Sequence, residues 1–552
     1  MTKSLPLFST SRFCLVPRGS RLGCAGVGAL SLGLLAASGA GAQTLDPLVR
    51  ITRPSPLAGC TADGVKGQEQ QFGSTLYKGN AIEPSVAIDP SDPDRILIGH
   101  QQDRWSDGGA RGLVGGLSDD GGKTWTVTTP SGVTDCTGGR YVRASDPWVT
   151  FSRDGTAFFF SLTLDPAGSA TPFGTSAGAM LVSRSRDHGL TWEAPKPLIV
   201  DDTTLVLNDK NSIAADPTAP GNVYAVWDRL SIFPANDASA GASAPDAMRD
   251  GVLMARDRVA RLRAEAAGAS AAAAPPSRGP TYLSHTADNG ATWSRAAAIY
   301  DPGVNAQTIN NLIVVPPSGD VDDFFTNIDA LGNLNIGFVK SQDKGFSWSG
   351  PTFATDIQSS GVITPNRHEG VRDAAILYSV ATDRASGALY VVWQDFRFNP
   401  ATLVDDVAFS QSLDGGVTWS APAMINKTPQ NLSNPLRQQA FIPSVAVAGD
   451  GTVAVTYYDF RNDVGTPGVE LTDYFAVFCK PSAGICSQGA NWGNELRLTP
   501  NSFNMLDAPV AGGHFMGDYM GLAAHGKHIW PIFGQAVAPN HVAEFTRKIT
   551  LP

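Results

Sequence analysis

Ser118-Asp119-Asp120-Gly121-Gly122-Lys123-Thr124-Trp125 is the stretch on which the fold turns, because its pattern comes back four more times. The copies are Ser185 to Trp192 (SRDHGLTW), Thr286 to Trp293 (TADNGATW), Ser341 to Trp348 (SQDKGFSW) and Ser412 to Trp419 (SLDGGVTW). A hydroxyl, an Asp two residues on and a Gly two further suit a tight turn. The Asp side chain bonds turn N–H groups, and the Gly takes a positive φ. The Trp then opens the following strand and buries its ring. A pattern that recurs at this spacing is an internal repeat, which outweighs the several-domain expectation that 552 residues would otherwise raise.

Working outward from the first copy, each repeat reads as a four-stranded meander. Ser85 to Ile88 forms a first strand, Ile96 to Ile98 a second that runs to Asp103-Arg104, and Gly112 to Leu117 a third; Trp125 starts the fourth. First-strand signatures return at Ser212, Ser379 and Ser444, and second-strand signatures at Tyr224, Tyr390 and Val455. A last group of strands near Asp518 to Ile549 lacks a fourth strand, and the segment before Asn80 is available to supply one. The expected fold class is all-β: a β-propeller of four-stranded antiparallel blades, seven by this count with six as the alternative.

The carboxylates of the repeated turn are Asp120, Asp187, Asp288, Asp343 and Asp414, and the longest gap between them holds an insertion. Residues 232–280 are rich in Ala, Ser and Pro, and Asp246 to Ala267 reads as a helix with Met248, Val252, Leu253, Val259 and Leu262 along one side. It falls between the second and third strands of the third blade, and reads either as a lid over one face or as a solvated excursion.

The repeat resembles the Asp-box, or BNR repeat, of the sialidase superfamily of β-propellers, over roughly residues 80–420. In that family the Asp-box is structural, and its place between strands three and four sends any chemistry to the opposite rim. The resemblance implies a secreted glycosidase with a Tyr nucleophile assisted by a Glu, an Asp acid/base and three Arg groups holding a substrate carboxylate. The best matches are Tyr519 with Glu83 or Glu369, Asp146, and a clamp of Arg229, Arg397 and Arg461. The family's first Arg has only Val49-Arg50-Ile51-Thr52 as its nearest counterpart.

The opposite rim holds a second repeated element: Asp103-Arg104, Asp228-Arg229, Asp395-Phe396-Arg397 and Asp459-Phe460-Arg461 close four of the second strands. Such pairs serve either as interblade ion pairs or as ligands for an acidic sugar. First strands add Glu83, Asp146, Asp209 with Lys210, and Asp518 with Tyr519. Loops add His368-Glu369, Arg372-Asp373 and His514, and Trp105 and Trp148 offer stacking faces. Substrate-binding roles therefore fall to Arg229, Arg397, Arg461, Arg104, Asp209, Asp518 and Trp148. The rival readings are a non-catalytic glycan- or protein-binding propeller, in which every Arg is paired within the blades, and a polysaccharide lyase, in which His368 faces His514.

Residues 1–42 read as a signal peptide, with an apolar run from Leu22 to Ala37 and Ala40-Gly41-Ala42 as the cleavage site. Residues 43–79 read as an extended lead-in and 80–552 as the propeller. Removing the signal leaves 37 basic against 51 acidic residues, a formal charge of −14 in place of −10. Such a surface repels phosphate backbones, so nucleic acid is excluded as a partner and a glycan expected. Stable membrane insertion, a cofactor and a metal are not expected, and the location is secreted or periplasmic. Cys60, Cys136, Cys479 and Cys486 remain, most simply as the disulfides Cys60–Cys136 and Cys479–Cys486. No CxxC spacing favours zinc instead.

Overall fold

In a computed structural model, residues 43–168, 171–233, 251–266, 276–373, 375–481 and 485–552 are described; the signal segment and both flanks of the insertion lie outside them. The chain is nearly all β, in antiparallel sheets. The first meander runs Leu76–Ile88, Ile96–Trp105, Ala110–Ser118 and Thr126–Thr128, and its first strand begins ahead of Asn80. The second comprises Arg143–Phe151, Ala157–Pro166, Thr175–Ser185 and Lys196–Asp201. The third comprises Val206–Ala215, Val223–Ile232, Thr281–Thr286 and Ala297–Tyr300. Gln307–Val314, Val321–Ile328, Leu334–Ser341 and Thr352–Asp356 follow as the fourth. Tyr378–Thr382, Leu389–Asp395, Asp406–Ser412 and Ala423–Met424 form the fifth. Ala440–Val447, Val453–Asp459, Leu471–Cys479 and Gly493–Arg497 form the sixth.

The last meander has Gly521–His525, His528–Ala538 and His541–Thr546, and takes its fourth strand from the other end of the chain. There Val49 pairs with Thr546 and Arg50 with Phe545. The first strand of each meander lies against the first strand of the next, and that of the last against Leu76–Ile88. This is the arrangement of a β-propeller, and it leaves no meander with an unpartnered flank.

The repeated turn earns its sequence through hydrogen bonds. Asp120 Oδ1 accepts from the backbone N–H groups of Lys123 and Thr124, both at 2.9 Å, and Ser118 Oγ accepts from Gly122 N, also at 2.9 Å. The bonds from the N–H four residues after the Asp and from the Gly to the hydroxyl recur around Asp187, Asp288, Asp343 and Asp414, and the bond from the N–H three residues on recurs at Asp343. The hydroxyls of Ser347 and Thr418 and the turn N–H groups hold the Asp343 and Asp414 carboxyls down at about 2. Gly122, with φ 89°, follows Gly121 at φ 73°, a backbone course open to Gly at little strain.

The Trp that ends each turn fills the seam with the preceding meander. Trp192 packs edge-on to Phe159 of its own meander beside Leu97 of the first; Trp293 packs against Phe158 of the second and Trp419 against Phe324 of the fourth. Trp125 sits with Trp530 and Ile532 of the last meander, which closes the ring with apolar contact. The sixth meander lacks the repeated turn. There the Cys479–Cys486 disulfide shapes the connection, and Trp492, whose Nε1 donates to Cys486 O at 2.7 Å, packs 4.9 Å from Phe409 of the fifth. Cys60–Cys136 is also formed and ties the lead-in to the segment after the first meander.

A helix, Gly251–Ala266, stands between the second and third strands of the third meander. It is docked rather than solvated: Ala255, Val259 and Leu262 are buried, and Val259 joins a cluster with Ile328 and Leu334 of the fourth meander. Arg256 Nη1 reaches the buried Asp373 carboxylate at 3.1 Å. Among the described residues no helix is long and apolar enough to cross a membrane.

Candidate functional site

The first strands of five meanders share a distortion. Their pairing with the second strand slips between Ile82 and Ser85, Ser145 and Trp148, Asp209 and Ser212, Ile309 and Leu312, and Phe441 and Ser444. The residue at each slip has a left-handed backbone: Glu83 (φ 56°), Asp146 (48°), Lys210 (39°), Asn310 (64°) and Ile442 (50°). A bulge re-aims a side chain, and a left-handed non-glycine persists only where its surroundings enforce it.

Three of these re-aimed side chains meet. Lys210 Nζ lies 3.1 Å from Asp146 Oδ1, 3.4 Å from Glu83 Oε1 and 3.0 Å from Asp518 Oδ2, so four meanders contribute to one ion cluster. Asp518 is gripped from its other side by Arg372, whose Nε donates to Oδ1 at 2.9 Å and whose Nη2 donates to Oδ2. The Arg372 guanidinium stacks 4.0 Å above the Phe515 ring. Gln101 donates to Glu83 and, at 2.9 Å, to Ser145 Oγ. Tyr519 OH donates to Asp146 Oδ1 at 3.4 Å, and its ring lies 5.3 Å from that of Trp148.

Burial drives the electrostatics. It pushes the Glu83 carboxyl up to about 8; Lys210 opposes the rise, while Asp518 and Asp146 add to it. Burial acts on Asp518 the same way, but Arg372 and Lys210 outweigh it and hold that carboxyl far below the usual range. Asp209 is raised well above the ordinary value by burial and by Asp146, and Asp228 likewise. The Tyr519 phenol is pushed up by burial and by the same carboxylates. Two neighbouring carboxyls driven in opposite directions are what acid–base chemistry requires.

The structure thus brings together Glu83, Asp146, Asp209, Asp518, Tyr519 and Trp148. Arg104 turns inward beside them, because Asp103 ahead of it adopts φ 61°; its Nη1 donates to Gln101 Oε1 at 2.7 Å. Beside the cluster is a cavity of about 50 Å³ lined by Trp148, Asn310, Tyr378, Ser444, Asp518 and Tyr519 among others.

The expected arginine clamp is not assembled. Arg229 pairs with Asp201 from the last strand of the second meander. Arg397 forks onto Asp395 and reaches Asp356 of the fourth meander at 3.1 Å. Arg461 bonds Asp459 and Glu495 and, at 3.3 Å, Thr428 of the segment after the fifth. Arg229 and Arg397 thus meet a carboxylate of the preceding meander, and Arg461 meets carboxylates of its own. Arg50 is exposed beside His541 in the closing strand. Glu369 is also apart from the cluster: it is partly buried, with His514 Nε2 at 2.8 Å and Arg367 at 2.6 Å. That engages His514 with a carboxylate in place of His368. Trp105 is fully buried under the Arg143 guanidinium and offers no stacking face.

Lys210, Arg372 and Gln101 carry more of the site than their sequence context indicates. The available signal is the residue preceding Pro or Asn in Glu83-Pro84-Ser85-Val86, Asp146-Pro147-Trp148-Val149, Lys210-Asn211-Ser212-Ile213 and Ile442-Pro443-Ser444-Val445. As for metals, the one ligand-like group among the described residues is Cys60, Asp63 and Cys136, and its two sulfurs are joined as a disulfide.

No family model matches the sequence, and no curated protein matches it. Among solved structures, similarity is found to a protein of unknown function from Dyadobacter fermentans, at 13% identity and TM-score 0.43 over 87% of this chain and 98% of that one. A Hadza microbial sialidase is similar at 14% identity and TM-score 0.40, over 82% of this chain and 76% of that one. An α-L-arabinanase of Penicillium chrysogenum is similar at 11% identity and TM-score 0.42, over 75% of this chain and 94% of that one.

Proposed function

We propose that the chain is a secreted seven-bladed propeller, closed by its N-terminal lead-in and carrying a helical insertion in the third blade, that hydrolyses glycans at its axis. The observation that carries this reading is the Lys210 cluster: Glu83 and Asp146 from separate blades share one ammonium, with Glu83 raised to about 8. Glu83 is then protonated at neutral pH and gives its proton to the glycosidic oxygen as the bond to the anomeric carbon breaks. Water adds to that carbon, and Asp146, held through Oδ1 by Lys210 and Tyr519, takes the water's proton. Lys210 balances the charge that moves between the two carboxyls. Trp148 and Tyr519 provide the face on which a sugar ring stacks.

The cavity beside these groups is far smaller than the roughly 300–1,000 Å³ of a ligand pocket, so substrate enters only as side chains around the mouth move. The same fact favours a second reading, a non-catalytic glycan-binding propeller whose axis is plugged by charge. Its further support is that Arg229, Arg397, Arg461 and Arg372 are all paired with carboxylates. Release of reducing sugar from a glycan panel by wild type, set beside Glu83→Gln, separates the two. Turnover lost in the variant supports the enzyme; glycan binding without turnover supports the second reading.

A further inference from the structure

The cations at the axis are already engaged. Lys210 spans three carboxylates, Arg372 is forked onto Asp518, and Arg104 is bonded to Gln101 and faces Glu83. Recognition of a carboxylated sugar needs a guanidinium or ammonium group free to turn toward it. Drawing Lys210 or Arg372 away would strand buried acids instead.

Acceptors without a partner stand beside these cations. Asn211 Oδ1 and Asp228 Oδ1 are buried oxygens without a hydrogen-bond partner, on residues 2–3% exposed, while the Asp146 and Asp209 carboxyls bond each other. Both are contributed by the third meander, and Asn211 adjoins Lys210 in sequence. A buried acceptor without a donor is costly, and these two lie at the bulge of the third meander, Asn211 on its first strand and Asp228 on the second strand opposite Asp209.

From the engaged cations and the orphaned acceptors we infer that the axial site takes a carboxylate-free glycan, a neutral or amino sugar whose hydroxyl or ammonium donors meet these oxygens. A sugar hydroxyl or a protonated amine satisfies one such acceptor. A uronic or sialic acid would bring a carboxylate to a site whose cations are already bonded to its own groups. The inference rests on the glycan-acting reading and replaces the acidic substrate that the repeat resemblance implies.

The test is turnover of four fluorogenic glycosides by the wild-type protein: a neutral hexoside or pentoside, a glucosaminide, a glucuronide and a sialoside, with parallel calorimetric titration of the free sugars. The expected result is a kcat/KM at least ~100-fold higher for the carboxylate-free pair than for the carboxylated pair. Equal or faster turnover of the glucuronide or sialoside overturns the inference and leaves the enzyme reading standing. Binding of the carboxylate-free sugars without turnover of any glycoside retires the enzyme reading and keeps the preference. Neither binding nor turnover overturns both.

Discussion

The Lys210 ammonium lies 3.0 Å from the Asp518 carboxylate, although 308 residues separate them, and both side chains are buried. One ion pair thereby joins the third meander to the last across the axis, and the same ammonium also satisfies Glu83 and Asp146. Lys210→Met should leave buried carboxylates uncompensated and lower stability by about 3–5 kcal/mol, read as a reduced urea midpoint. A change below about 1 kcal/mol would mean that the cluster reorganises around water.

The raised Glu83 carboxyl sets the sign of a pH dependence. Its folded pKa of about 8 exceeds the ordinary value of 4.5, so between those values the native state binds the extra proton. That contribution is complete below the unfolded value and is lost as pH rises toward 8. Urea midpoints of wild type should therefore fall relative to those of Glu83→Gln between pH 5 and pH 8. Parallel profiles would show that Glu83 titrates normally.

The two disulfides close loops of different size. Chain-entropy arguments give about 4.5 kcal/mol for the 76-residue separation of Cys60–Cys136 and about 2.4 kcal/mol for the 7-residue separation of Cys479–Cys486. Paired Cys→Ser replacement should destabilise in that order, measured by chemical denaturation. The reverse order would give the short loop the larger part in fixing Trp492 at its seam.

Much of the architecture is legible in the sequence because repetition amplifies weak local signals. Turn, seam Trp and strand spacing recur, so the meanders align against one another from residue pattern alone. The pairing of Val49 with Thr546 involves two residues and is invisible to periodicity. The site is half legible. Glu83, Asp146 and Asp518 stand out as carboxylates at strand starts, but the bulge that turns Lys210 among them depends on cross-strand register. Arg229, Arg397 and Arg461 mislead for a physical reason: a repeated Asp-Arg pair is the same in sequence whether it points to the axis or to the next blade. The bonds to Asp201, Asp356 and Glu495 are what decide it.

Arg256 is the link between the inserted helix and the mouth of the ring. It pairs with Asp373, whose chain neighbour Arg372 holds Asp518. Arg256→Ala should loosen the helix Gly251–Ala266 and speed its cleavage under native limited proteolysis, while the urea midpoint of the sheets changes little. An unchanged cleavage rate would place the hold on the helix in Ala255, Val259 and Leu262 alone.

The central claim is that Glu83 and Asp146 perform acid–base chemistry on a glycan. The most direct measurement is the kcat of wild type, Glu83→Gln and Asp146→Asn on the best glycoside of the panel, with circular dichroism confirming that each variant is folded. The account predicts a loss of at least ~100-fold in kcat for either variant, as expected for removal of a general acid or base. Turnover within a few-fold of wild type in both folded variants would contradict it.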